Sequence, residues 1–112
     1  MEQQQMPSET EWQVMEIVWA NKDSLTSQEI IKKMEQGDKE LSPKTIRVLI
    51  NRLCQKQILK YDIDERDSRI YHYYAAKTRE DCLKAKSRHF ADSYFSGNRA
   101  KALASLITGA LG

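Results

Sequence analysis

Lys44, Arg47 and Asn51 are spaced three and four residues apart, which places their side chains on one face of an α-helix. Val48 and Gln55 fall on the same side, and Thr45 and Arg52 flank it. Guanidinium, ammonium, carboxamide and hydroxyl groups gathered in this way form a surface for hydrogen bonding to an anionic partner. From Lys44 to Lys60 there are five basic residues and no acidic one. The major groove of DNA admits an α-helix; Arg and Lys pair there with guanine acceptors, Asn pairs with adenine, and an apolar side chain such as Val48 can meet a thymine methyl. A basic helix face is also an ordinary solvated surface in many proteins. The elements around it have to separate the two readings.

The helix that would carry these residues is predicted over Ser42–Leu59. Ser42 is its N-cap and stands at the edge of the candidate DNA-binding set, and Pro43 suits the first helical position. Ile46, Leu49, Ile50 and Leu53 form a narrow apolar stripe on the reverse side. Upstream, Ser8 and Glu11 read as a capping box opening a helix to about Ala20, with Trp12, Met15, Val18 and Trp19 as its core face. A second capping box, Thr26 with Glu29, opens a short helix whose apolar face is Ile30, Ile31 and Met34, and Gly37 stops it. Two capped helices in succession, the second basic, fit a helix-turn-helix.

After Leu59 the period changes from helical to alternating. Tyr61 and Ile63, then Ile70 to Ala75, read as the two strands of a hairpin, with Tyr71 and Tyr73 on one face. The polar turn from Asp64 to Arg69 forms its tip. Arg66 and Arg69 there either touch DNA phosphates, which position a protein without reading sequence, or pair in solvent with Asp64, Glu65 and Asp67. A hairpin placed directly after a recognition helix is a wing. The expected fold class is therefore mostly α with a small β-hairpin: a winged helix-turn-helix over residues 8–76, followed by a helical dimerisation arm over residues 77–112. Thr78 caps the first arm helix, which runs to about Ser96 with a stripe of Leu83, Phe90 and Tyr94; a last helix from about Arg99 carries Leu103 and Ile107. Little of the chain is left for these helices to pack against, so a second copy is the expected partner. A homodimer also presents two recognition helices to the two halves of a palindrome.

Composition limits the alternatives. A chain of 112 residues with 40% hydrophobic and 30% charged residues accommodates one domain with a short appendage. The net charge is only +2, but residues 1–40 hold four Lys/Arg against nine Asp/Glu, a net of −5, while residues 41–112 hold fourteen against seven, a net of +7. No apolar run reaches membrane-spanning length and no signal-peptide pattern opens the chain, so a cytoplasmic location without membrane insertion is expected. Cys54 and Cys82 lack any zinc-ligand spacing; together with His72 and His89 they offer no metal set, and no cofactor is expected. Neither a nucleophile–base arrangement nor a phosphate-binding glycine loop is visible, which argues against an enzyme.

Glu11-Trp12-Gln13-Val14-Met15 with Ile17-Val18-Trp19, then Ser42-Pro43-Lys44-Thr45-Ile46-Arg47 with Leu49-Ile50 and Arg52-Leu53, and Tyr71-His72-Tyr73-Tyr74 at the wing, resemble the BlaI/MecI/CopY family of bacterial winged-helix repressors. The resemblance runs over roughly residues 8–107. It implies a homodimeric repressor on a palindromic operator with TACA and TGTA half-sites, with Lys44, Thr45 and Arg47 at base edges and Arg52 on the DNA backbone. It also implies a membrane sensor-protease that signals β-lactam, with cleavage of the arm near Ser105-Leu106. Val48 stands where related repressors often have Thr, and family members usually continue beyond the position of Gly112 with another helix. The copper-responsive branch carries a C-terminal C-x-C motif that this sequence lacks. A copper-responsive repressor without that motif, or a winged helix used for protein–protein contact, are the rival readings.

Overall fold

The computed structural model describes residues 6–37 and 40–95, with side chains through residue 90. In chain order the elements are α1 (Glu9–Ala20), α2 (Ser27–Gln36), α3 (Pro43–Gln55), β1 (Leu59–Ile63), β2 (Tyr71–Ala75) and α4 (Arg79–Phe95). This is a winged helix: three helices around one core, a two-stranded antiparallel hairpin, and a fourth helix leading away. Among the described residues no helix is long and apolar enough to cross a membrane.

Local sequence signals fix the helix starts. Ser8 Oγ accepts from the Glu11 amide at 3.2 Å, and the Glu11 carboxylate accepts from the Ser8 amide at 2.9 Å. Thr26 and Glu29 repeat the arrangement at 3.2 and 2.8 Å. Each reciprocal pair satisfies two N–H groups that would otherwise lack helical partners. Gly37 closes α2 with its amide on the Met34 carbonyl.

The core gathers Val14, Met15 and Val18 of α1, Ile30, Ile31 and Met34 of α2, and Ile46, Leu49, Ile50 and Leu53 of α3, with Leu25, Ile58, Leu59 and Tyr73. Val14 is fully buried while Trp12 and Trp19 sit half-buried at the edge of this cluster, so the apolar face of α1 is turned from the one read in sequence. The helix carrying the basic face is also shorter than expected. It ends at Gln55, Gln57 takes a left-handed backbone (φ 61°), and Ile58 and Leu59 enter the core from the connection and from β1. The left-handed residue turns the chain sharply enough for the hairpin to follow at once.

In the hairpin Leu59 faces Ala75, Tyr61 faces Tyr73 and Ile63 faces Tyr71. The Tyr61 and Tyr71 rings stack with centroids 4.4 Å apart. On its other edge β2 gains a bridge to Leu25, whose amide and carbonyl both bond to Tyr73 at 2.9 and 2.7 Å. The wing is thereby anchored to the segment just before α2.

Candidate nucleic-acid interface

Burial divides α3 into two sides. Ile46, Leu49, Ile50 and Leu53 are each at most 5% exposed, whereas Lys44, Thr45, Arg47, Val48, Asn51 and Arg52 are all exposed. Among the described residues no carboxylate pairs with Lys44, Arg47 or Arg52, so their charges face outward uncompensated. Ser42 Oγ accepts from the Thr45 amide at 3.1 Å and lies 2.9 Å from Thr45 Oγ1. This cap fixes the first turn of α3 and the orientation of Thr45 with it.

Lys56 follows the same helix but turns inward. Its Nζ lies 2.6 Å from Glu11 Oε1 and 3.2 Å from the Met6 carbonyl. Burial raises the Glu11 carboxyl, yet the bonds from Lys56 and Ser8 outweigh it and hold the group below the ordinary carboxylate value. The pair ties the end of α3 to the start of α1. The sequence signal for Glu11 was its capping role; its partner lies 45 residues away and leaves no local trace.

Beside the exposed face, Ser27, Arg47, Ile50, Asn51 and Tyr73 line a cleft of about 120 Å³ between α3, the first turn of α2 and β2. Ser27 and Tyr73 were absent from the sequence-derived set. The amides at the N-terminus of α2 carry partial positive charge, so the cleft joins that end to Arg47 and Asn51.

The wing turn is held by its own acids. Asp64 Oδ2 accepts from the Arg66 and Asp67 amides at 2.9 and 3.0 Å, and Asp64 Oδ1 lies 2.9 Å from His72 Nε2. The His72 contact, then the two amides, lower the Asp64 carboxyl below its ordinary value. Asp67 takes both Nε and an Nη of Arg69 at 3.0 Å. Arg69 therefore adopts the solvent pairing, although its side chain remains 88% exposed. Arg66 is exposed, with no ion-pair partner among the described residues.

On α4 the buried residues among those whose side chains are described are Cys82 and Ala85, while Leu83 is 39% exposed and Phe90 half-buried. The helix thus packs on the domain by a different face from the Leu83 stripe. The Tyr94 side chain, Leu103 and Ile107, and the Ser105-Leu106 bond lie outside the described residues. Among the described residues no cluster of three or more His, Cys, Asp or Glu side chains is placed to hold a metal.

A family model described as penicillinase repressor matches residues 7–111. The penicillinase repressor of Staphylococcus aureus is 36% identical over 92 residues, 81% of this chain and 68% of that protein. The methicillin resistance regulatory protein MecI of Staphylococcus aureus strain N315 is 34% identical over 90 residues, 80% of this chain and 69% of its own length. Among solved structures, the monomeric form of Bacillus licheniformis BlaI in complex with the blaP half-operator superposes with a TM-score of 0.58 at 27% identity, over 72% of this chain and 93% of that one. The MepR–DNA complex of Staphylococcus aureus superposes with a TM-score of 0.56 at 17% identity, over 95% of this chain and 82% of that one, a likeness of fold alone.

Proposed function

The chain belongs to the penicillinase repressor family, and from that membership and the geometry of α3 we propose that it represses transcription as a homodimer on a palindromic operator. The observation that carries this reading is the division of α3 into a buried apolar stripe and an exposed face of Lys44, Thr45, Arg47, Val48, Asn51 and Arg52. Lys44, Thr45 and Arg47 address base edges, with TACA/TGTA-like half-sites as the target; Arg52 holds the sugar-phosphate backbone. Ser42 fixes the first turn, Val48 meets a thymine methyl and Asn51 an adenine edge. Arg66 and Arg69 reach phosphates from the wing.

Residues 8–76 form the DNA-binding unit and residues 77–112 the dimerisation arm, with Leu83, Phe90, Tyr94, Leu103 and Ile107 at the interface between copies. The repressor acts in the cytoplasm, and a membrane sensor-protease relieves repression by cutting the arm near Ser105-Leu106 in response to a β-lactam. Cutting the arm turns one bivalent binder into two monovalent ones and removes the effective concentration that links the half-sites.

Fluorescence anisotropy on a TACA/TGTA palindrome and a scrambled duplex, across a salt series, tests the reading. A specificity ratio of about 10³ or more, with affinity falling steeply as salt rises, is the expected result. Equal binding to both duplexes would overturn it.

A further inference from the structure

The root of α4 is fastened to α1 by side chains rather than by a long stretch of packing. Arg79 Nε and Nη donate to the two oxygens of Glu16 at 2.9 and 3.1 Å, across 63 residues of sequence. Trp12 Nε1 donates to the same carboxylate at 3.1 Å, and Lys86 stands 5.2 Å from the centroid of a Trp12 ring. Trp19 Nε1 donates to the Lys77 carbonyl at 2.9 Å, just ahead of the helix. Cys82 and Ala85 are the buried residues of α4 among those described, a narrow seat for residues 79–90.

Arg79 is the first residue of α4, where a cation opposes the helix dipole. Its place is therefore not explained by the stability of its own helix. It is explained by Glu16, whose planar carboxylate receives the guanidinium fork in a fixed relative orientation. Glu16 is oriented in turn by Trp12, and Trp12 by its edge-on contact with Trp19. The Glu16 carboxyl is held below its ordinary value by the Arg79 bond first. One end of this chain of contacts is the recognition unit and the other is the arm.

We propose that the Arg79–Glu16 clamp, backed by Trp12, is a positioning device that sets the angle between arm and DNA-binding unit, and thereby the separation of half-sites that the dimer accepts. This inference rests on the dimeric reading above. Adding one base pair between half-sites moves them apart by about 3.4 Å and rotates one against the other by about 34°. A stiff arm root resists that change; a loose one absorbs it.

The test uses the full chain and its Arg79→Gln and Arg79→Lys variants, with palindromes whose half-site spacing is unchanged, one base pair longer and one shorter. Binding to a single half-site is measured in parallel. The expected result is that the wild-type protein prefers one spacing, and that Arg79→Gln flattens the preference by about two- to fivefold, the range open to an exposed ion pair. Single half-site affinity should not change. Lys keeps the charge without the fork, so Arg79→Lys should give an intermediate preference. A wild-type preference retained in full by Arg79→Gln would overturn the clamp and leave the dimer standing. A wild-type protein indifferent to spacing would overturn the clamp, and one that binds the palindromes no more tightly than a single half-site would overturn the dimeric reading with it. A loss of single half-site affinity equal to the loss on the palindrome would assign Arg79 to the integrity of the domain and overturn the positioning role.

Discussion

Replacing Lys56 by methionine keeps most of the side-chain volume and removes the charge. In the native domain its ammonium lies 2.6 Å from Glu11, a residue only 2% exposed. Removing one member of a fully buried ion pair costs roughly 3–5 kcal/mol, because the remaining charge is stranded. Here Glu11 keeps the Ser8 amide at 2.9 Å, and the Lys56 side chain is 28% exposed, so water reaches the vacated position. The expected loss is therefore smaller, about 2–3 kcal/mol at neutral pH, enough to lower Tm by about 10 °C in a domain of this size. The pH dependence has a definite sign. The Glu11 carboxyl is depressed in the native protein, burial opposing and the Lys56 and Ser8 bonds prevailing. Its contribution is present above the unfolded pKa and is lost as pH falls through the folded one. In Lys56→Met the burial is opposed by Ser8 alone, so the carboxyl titrates higher than in the native chain. The deficit between the two proteins should then shrink as pH falls below the unfolded Glu value of about 4.3 toward the depressed value of the native carboxyl. Urea denaturation followed by circular dichroism at several pH values measures both quantities. A deficit under about 0.5 kcal/mol, within the range of an unremarkable surface change, or one that stays constant with pH, would refute the argument.

Two further outcomes concern DNA. Arg47→Ala should weaken binding to the specific duplex by about 1–3 kcal/mol and binding to scrambled DNA much less; equal losses in anisotropy titrations would remove Arg47 from base reading. Asp67→Asn should release the Arg69 guanidinium and raise affinity at low salt about two- to fivefold, with the gain vanishing as salt screens the wing; an unchanged low-salt affinity would show that Asp67 does not restrain Arg69.

Features that depend on residues close in sequence were legible without coordinates. Both capping boxes, the Ser42–Pro43 start of α3 and the alternation of Tyr71 and Tyr73 belong to this group, since each is decided within one or two turns of chain. The division of α3 into two faces followed from the same local periodicity. Its end did not: Ile58 and Leu59 continue the apolar pattern, and only the positive φ at Gln57 diverts them into the core and the hairpin. Contacts between distant segments were invisible in principle. Glu11 looked like a cap and Arg79 like an ordinary first-turn residue, because nothing local announces Lys56 or Glu16. The inward-packing face of α4 was likewise not read from the sequence, which pointed only to the Leu83 stripe as a contact between copies. Cys82 and Ala85, rather than Leu83, are the side chains that α4 buries among the described residues, and neither is large enough to announce itself in the apolar pattern.

The edge-on pair of Trp12 and Trp19 has an optical consequence. These are the only two tryptophans in the chain, and their rings lie 5.2 Å apart at 72°, at the junction where α4 leaves the domain. Indole emission therefore originates from a single spot. That spot is remote in sequence from the α3 surface, where no indole lies. Trp12 holds Glu16 and Trp19 holds the Lys77 carbonyl, so a change in the geometry of the arm root alters the surroundings of both indoles. The molecule carries an unlabelled gauge of its own hinge.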